Sequence, residues 1–235
     1  MLRRIAASRA LCSATLAWLT VGSLRAAGAQ STGVGVKAGV GLSDFRGSSI
    51  DAWHATTGPT GGAFVVVRAH RRLGLQLEAL LTEKGVFKLD TASNIEWTTR
   101  LRPLYAEIPV LARFTVIGQP GQARFLALAG FSAAFDLSCQ ETATPRLISG
   151  TGPLPQTYRY ECARRLTFPE SPEFAAVLGI AVSGTFVHLP LALDIRYVPG
   201  LFDVGESQFQ RGTNFPEYHN VTLTASLGIL VSDFR

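Results

Sequence analysis

The tightest constraint on this chain is a period of two. In eight segments apolar residues alternate with small or polar ones: 34–42, 61–68, 73–85, 104–114, 123–137, 173–186, 190–198 and 220–231. Successive side chains on a β-strand point to opposite faces, so this alternation marks strands. In "YAEIPVLARF" (105–114), Ala106, Ile108, Val110, Ala112 and Phe114 share one face, and Tyr105, Glu107, Pro109, Leu111 and Arg113 share the other. No segment carries the period of an amphipathic helix. The pattern predicts a single all-β domain.

The links between these segments alternate in length. Those at 43–60, 86–102, 138–172 and 199–219 are long, whereas 70–72, 118–122 and 187–189 are short. An antiparallel meander places alternate links at opposite ends. One end therefore bears tight turns and the other long loops, as in the transmembrane barrels of the outer membrane.

Alternation alone leaves the direction of each face open, because a soluble lipocalin-type barrel also alternates. The less apolar face settles it. It reads Gly35, Lys37, Gly39, Gly41 on the first strand, and Leu126, Leu128, Gly130, Ser132, Ala134 on the fifth. On the sixth it reads Ala175, Val177, Gly179, Ala181, Ser183. A solvated surface carries far more charge, about 25–35% of its residues. Small residues suit the inside of a narrow barrel. The opposite face carries Phe125, Phe131 and Phe135, and no second layer exists in the sequence to cover them. Lipid covers them. The fold expected is an eight-stranded antiparallel up-and-down transmembrane β-barrel, closed because hydrocarbon leaves no edge unpaired.

Seven charges fall in the inward register: Lys37, Glu78, Lys84, Glu107, Arg113, Asp194 and Arg196. Buried charges persist when paired, so a structural network across the lumen is expected, with a polar path or ligand site as the alternative. Pro109 lacks an N–H and is expected to bulge its strand or break the local pairing.

The N-terminus begins with Arg3, Arg4 and Arg9, runs through the short apolar stretch 10–24 and reaches small residues at 26–29. This is the grammar of a signal peptide over 1–29, leaving a barrel domain over 30–235. The four arginines of residues 1–29 account for most of the formal net charge of +5, and about +1 remains. Nucleic-acid binding has no support in that balance.

Cys139 and Cys162 remain in the exported part, and an even pair there favours a disulfide. In the chain-entropy picture the bridge contributes about 3 kcal/mol. No His lies near either Cys, and no metal or cofactor is implied. Catalysis finds no motif either. The histidines, His54, His70, His188 and His219, fall in or beside loops and turns, and no nucleophile elbow, zinc-protease, Walker or dinucleotide signature occurs.

The segment "LQLEALLTEKG" (75–85), followed by "YAEIPVLARF" (105–114), resembles the paired signature of PorT-type outer-membrane β-barrels, often labelled "porin family". Gln76, Glu78, Leu80, Lys84 and Gly85 match its first half, and Tyr105, Glu107, Ile108, Pro109, Leu111 and Arg113 its second. "DIRYVPGL" (194–201) is similar to that family's penultimate strand. The resemblance implies an eight-stranded barrel like the small OmpA- and OmpX-like proteins, located in the bacterial outer membrane, and no catalytic residues. Some relatives are tied to protein secretion. Outer-membrane barrels usually end on an aromatic residue, whereas here Phe234 is followed by Arg235.

The expected partners are outer-membrane lipid and, through the loop 138–172, an extracellular or envelope protein. That loop holds Tyr158, Arg159, Tyr160, Arg164 and Arg165, residue types that dominate binding hot spots. The expected role is non-enzymatic: a barrel filled by its own side chains that displays long external loops for interaction or envelope integrity. The alternatives are a narrow passive channel, a lipocalin-like small-molecule binder and a lipid-modifying barrel enzyme.

Overall fold

Backbone hydrogen bonding closes the chain on itself. The structure is a computed structural model, and it describes residues 31–47, 53–92, 94–119, 122–149, 156–162, 172–201 and 218–234. The signal-peptide expectation falls on residues outside these. Among the described residues ten strands are formed: β1 (Ser31–Gly47), β2 (Trp53–Arg68), β3 (Leu73–Glu83), β4 (Val86–Ala92), β5 (Ile95–Ile117), β6 (Arg124–Leu147), β7 (Tyr158–Glu161), β8 (Glu173–Phe186), β9 (Leu189–Pro199) and β10 (Tyr218–Phe234).

Eight spans make the ring. β1 pairs with β2, β2 with β3, β3 with β5, β5 with β6, β6 with β8, β8 with β9, β9 with β10, and β10 returns to β1, all antiparallel. Walking the register from Thr32 through Val67, Leu75, Ala112, Ala129, Leu178, Tyr197 and Leu223 returns to β1 at Leu42, ten residues along. Eight strands with that stagger tilt by about 40° and leave an interior that side chains fill.

The two faces separate as the alternation predicts. Leu75, Leu77, Leu81, Ile108, Val110, Phe114, Phe131 and Leu193 all point outward, Phe131 with 65% of its surface exposed and Leu193 with 52%. Gln76, Glu78, Leu80 and Thr82 on β3, and Tyr105, Glu107, Leu111 and Arg113 on β5, are buried inside. Leu111 is fully enclosed. Phe64 also turns inward, and a Cβ on Gly35 would sit 2.4 Å from its ring. The absent side chain at Gly35 is what makes room for the aromatic ring.

The short links are short in the structure. β8 and β9 are joined by Val187 and His188 alone, both with positive φ (46° and 68°). That geometry belongs to a two-residue hairpin turn, and the β-branched Val187 is poorly suited to it. Pro109 behaves as expected of a residue without an N–H. The β3–β5 ladder holds at Leu77–Val110 and Leu80–Glu107, with no pairing between them, while Pro109 stays in register with Ser132 on β6.

The long links differ from the sequence reading. Residues 86–102 and 138–172 read as loops, yet β4, the first part of β5, the last part of β6 and β7 are strands there. β5 is 23 residues long and β6 is 24, about twice the length a tilted span requires. Their outer halves pair with β4 and β7, giving an outer sheet in the order β4–β5–β6–β7 above the ring. Both faces of this sheet lie beyond the lipid. Its strands therefore need no apolar–polar alternation, and period two does not announce them.

A double substitution, V187N with H188G, is expected to stabilise the barrel by about 1–2 kcal/mol, because Asn-Gly is the pair that tolerates left-handed backbone at both turn positions. The urea midpoint for loss of the compact, heat-sensitive band on unboiled SDS gels measures this.

Candidate functional site

The inward charges gather into two clusters and one solitary group. In the middle of the lumen, Lys37 of β1 places its Nζ 2.7 Å from Asp194 Oδ2 of β9 and 3.4 Å from Glu78 Oε1 of β3. Arg196 of β9 grips Glu78 with both terminal nitrogens, NH1 at 2.7 Å and NH2 at 2.8 Å, and its Nε lies 2.9 Å from Asp194 Oδ1. Ser226 of β10 donates to Asp194 at 2.8 Å, and the Gln76 side-chain amide donates to Glu78. Glu78 is only 2% exposed. Two cations and two anions balance here, and the bidentate Arg196–Glu78 pair crosses the lumen from β9 to β3.

The second cluster lies toward the long-loop end. Lys84 Nζ is 2.8 Å from Glu107 Oε1 and 3.9 Å from Glu173 Oε1, and it stands 4.8 Å above the Tyr105 ring. Thr82 donates to Glu107 Oε2 at 3.1 Å and shares a 2.9 Å hydrogen bond with Thr60. Lys84 follows Thr82 in the inward register, one position past the end of β3. Its backbone N–H donates to the Pro103 carbonyl at 3.0 Å. The neighbouring Gly85 lies so close to β5 that a Cβ would fall 2.6 Å from the Leu101 carbonyl oxygen. The Lys-Gly pair thus ends β3 with an inward cation and a glycine packed closely against β5.

Arg113 stands apart from both. It is 7% exposed and faces the short-turn end of the lumen, where a cavity of about 550 Å³ opens. Two smaller cavities among the described residues, beside the ion clusters, measure about 20 and 10 Å³. Each is the size of one water molecule.

Reading the sequence brought six of the seven named charges into the two clusters' positions, and Arg113 into neither. It missed Glu173, although that residue lies two positions before Ala175 in the inward register. It also missed Gln76 and Ser226, whose neutral side chains complete the central cluster. Among the loop residues, Tyr158, Arg159 and Tyr160 lie on β7, and Cys139 is bonded to Cys162 with their Cα atoms 5.2 Å apart. Arg164 and Arg165 lie outside the described residues. The Trp97 ring on β5 stacks on Tyr158 at 6.2 Å, and Tyr158 on Tyr160 at 6.1 Å.

A closed ring with a lipid-facing apolar wall and a charge-paired lumen defines a transmembrane barrel. The family described as "Outer membrane protein beta-barrel domain" matches residues 28–206, and this chain belongs to it. It is a protein of the bacterial outer membrane. No curated protein matches the chain. Similar solved structures include Ail, the attachment invasion locus protein of Yersinia pestis, in complex with the heparin analogue sucrose octasulfate. It is 10% identical, with 87% of this chain and 99% of that one covered and a TM-score of 0.38. Neisserial surface protein A is 12% identical, with 85% and 97% covered and a TM-score of 0.36. OprG from Pseudomonas aeruginosa is 8% identical, with 88% and 97% covered and a TM-score of 0.37.

Removing one member of the central cluster strands the others. Asp194→Ala is expected to destabilise the folded barrel by about 3–5 kcal/mol, whereas replacing Lys37, Glu78, Asp194 and Arg196 together by Met or Leu costs far less. Urea unfolding in lipid vesicles, read by the gel shift, separates the two outcomes.

Proposed function

We propose that this chain works without catalysis, as a plugged barrel that holds its outer sheet beyond the membrane to bind an extracellular or envelope protein. The observation that carries this reading is the contrast between a filled lumen and an elaborated outer sheet. The interior cavities beside the ion clusters hold about one water each, which leaves no room there for a solute. Outside, β5 and β6 run on together for some ten residues past the ring, flanked by β4 and β7.

The outer sheet presents aromatic side chains at low entropic cost. Tyr158 is 44% exposed and Tyr160 55%, and with Trp97 they form a stacked row. Exposed Tyr, Trp and Arg are the residue types that anchor protein interfaces. The Cys139–Cys162 bridge ties β7 to β6 next to this row. A fixed row loses little conformational freedom when a partner docks. The likeness of 75–85 and 105–114 to PorT-type barrels supports a role in the envelope's protein traffic.

Two measurements test this. In planar lipid bilayers the folded chain is expected to give no unitary conductance steps; regular steps would favour the narrow channel instead. In intact cells, a photo-crosslinking residue at position 160 is expected to trap a discrete protein adduct that one at lipid-facing position 131 does not. The C139S/C162S double variant should weaken that adduct while the barrel still shows its heat-dependent gel shift. Equal labelling at both positions would remove the outer sheet from the function.

A further inference from the structure

At the end of the barrel opposite the outer sheet, the lumen widens into the cavity of about 550 Å³. Its wall carries Arg68, Arg71, Arg72, Arg113 and Arg124 together with His70, and no Asp or Glu among the described residues. Chance does not gather such a set in one place cheaply. Five guanidinium groups repel one another, and each stays charged at any physiological pH.

Arg113 is the key member. It is only 7% exposed, yet among the described residues no carboxylate forms an ion pair with it. The charges that bear most on it are Arg124, Arg196 and Arg68, opposed by Asp194. Asp194 is already held by Lys37, Arg196 and Ser226. A buried, uncompensated charge costs several kcal/mol unless a counter-charge reaches it. The cavity gives that counter-charge a place. Thr115, Gln122 and Ser183 add neutral polar groups to the same wall.

We propose that this cavity is a binding site for a phosphate-bearing oxyanion, with Arg113 at its floor and Arg68 and Arg124 on its sides. Guanidinium groups match the geometry of a phosphate with paired N–H donors, and several of them fit a dianion better than a single carboxylate. Two sources share this chemistry in the space below an outer membrane: a free phosphate, and the headgroup of an anionic phospholipid. The site lies away from the outer sheet, so its test is independent of the protein-binding role proposed above.

The full chain is folded in neutral detergent and titrated with inorganic phosphate against sodium chloride of equal ionic strength. Thermal unfolding is followed by the gel shift. A parallel arm places the chain in nanodiscs of phosphatidylglycerol or of phosphatidylcholine. A rise in the unfolding midpoint with phosphate assigns a free anion. A rise only with phosphatidylglycerol assigns the headgroup. In either case R113M is expected to lose at least tenfold in affinity while being no less stable than the native chain when the anion is absent. R113K, which keeps the charge without the fork, should fall between. If R113M were less stable with and without the anion alike, Arg113 would be a structural residue and the proposal would fail. No response to phosphate or phosphatidylglycerol would overturn it as well.

Discussion

Hydrocarbon offers no hydrogen bonds, and the rest of the structure follows from that. Every N–H and C=O within the bilayer must find a partner in the chain, so the sheet closes and no edge remains. Closure with eight strands and a stagger of ten makes the inside narrow. A narrow inside must be filled by the residues that face it. Small residues along β6 and β8 admit large ones elsewhere, as Gly35 admits Phe64. Even Pro109 fits this scheme: the pairing it cannot make is lost over a single break in one ladder, and its other neighbour remains bonded.

Filling a narrow lumen with charge imposes a second condition, that opposite charges meet. Arg196, Glu78, Lys37 and Asp194 come from three strands distant in sequence, and they meet only because the ring is closed in this register. A one-residue slip of β3 would turn Glu78 to the lipid and leave Arg196 and Lys37 to share Asp194 as their single counter-charge. The cluster thus reports the register as much as it stabilises the barrel. Toward the outside the balance tips to acid, with Lys84 facing both Glu107 and Glu173. Toward the short turns it tips to base around Arg113. The lumen therefore carries a graded field along its axis, with a neutral plug between its ends.

Beyond the membrane the constraint lifts, and the chain behaves differently. β5 and β6 continue upward as an ordinary antiparallel pair rich in Thr and charged residues, with solvent in place of lipid. This is where the sequence was hardest to read. Segments such as 95–103 and 138–147 lack the apolar face that lipid demands, so they look like loops although their backbones pair throughout. Glu173 was hidden for a related reason. It sits at the first position of β8, before the small-residue pattern that identifies the strand has begun.

The sequence by itself determined the eight spans, the direction of each face, the turn-rich and loop-rich ends and the compartment, because period two and the size of the inward residues follow directly from lipid outside and a narrow lumen inside. It also determined that Glu107 and Arg113 share the inward face. Only the tertiary structure decided that they part company there, Glu107 meeting Lys84 and Arg113 opening onto the arginine-lined cavity. The physical reason is that alternation records which way a side chain points. Which other charge it meets is set by the stagger of eight strands around a ring, and no local stretch of sequence contains that stagger.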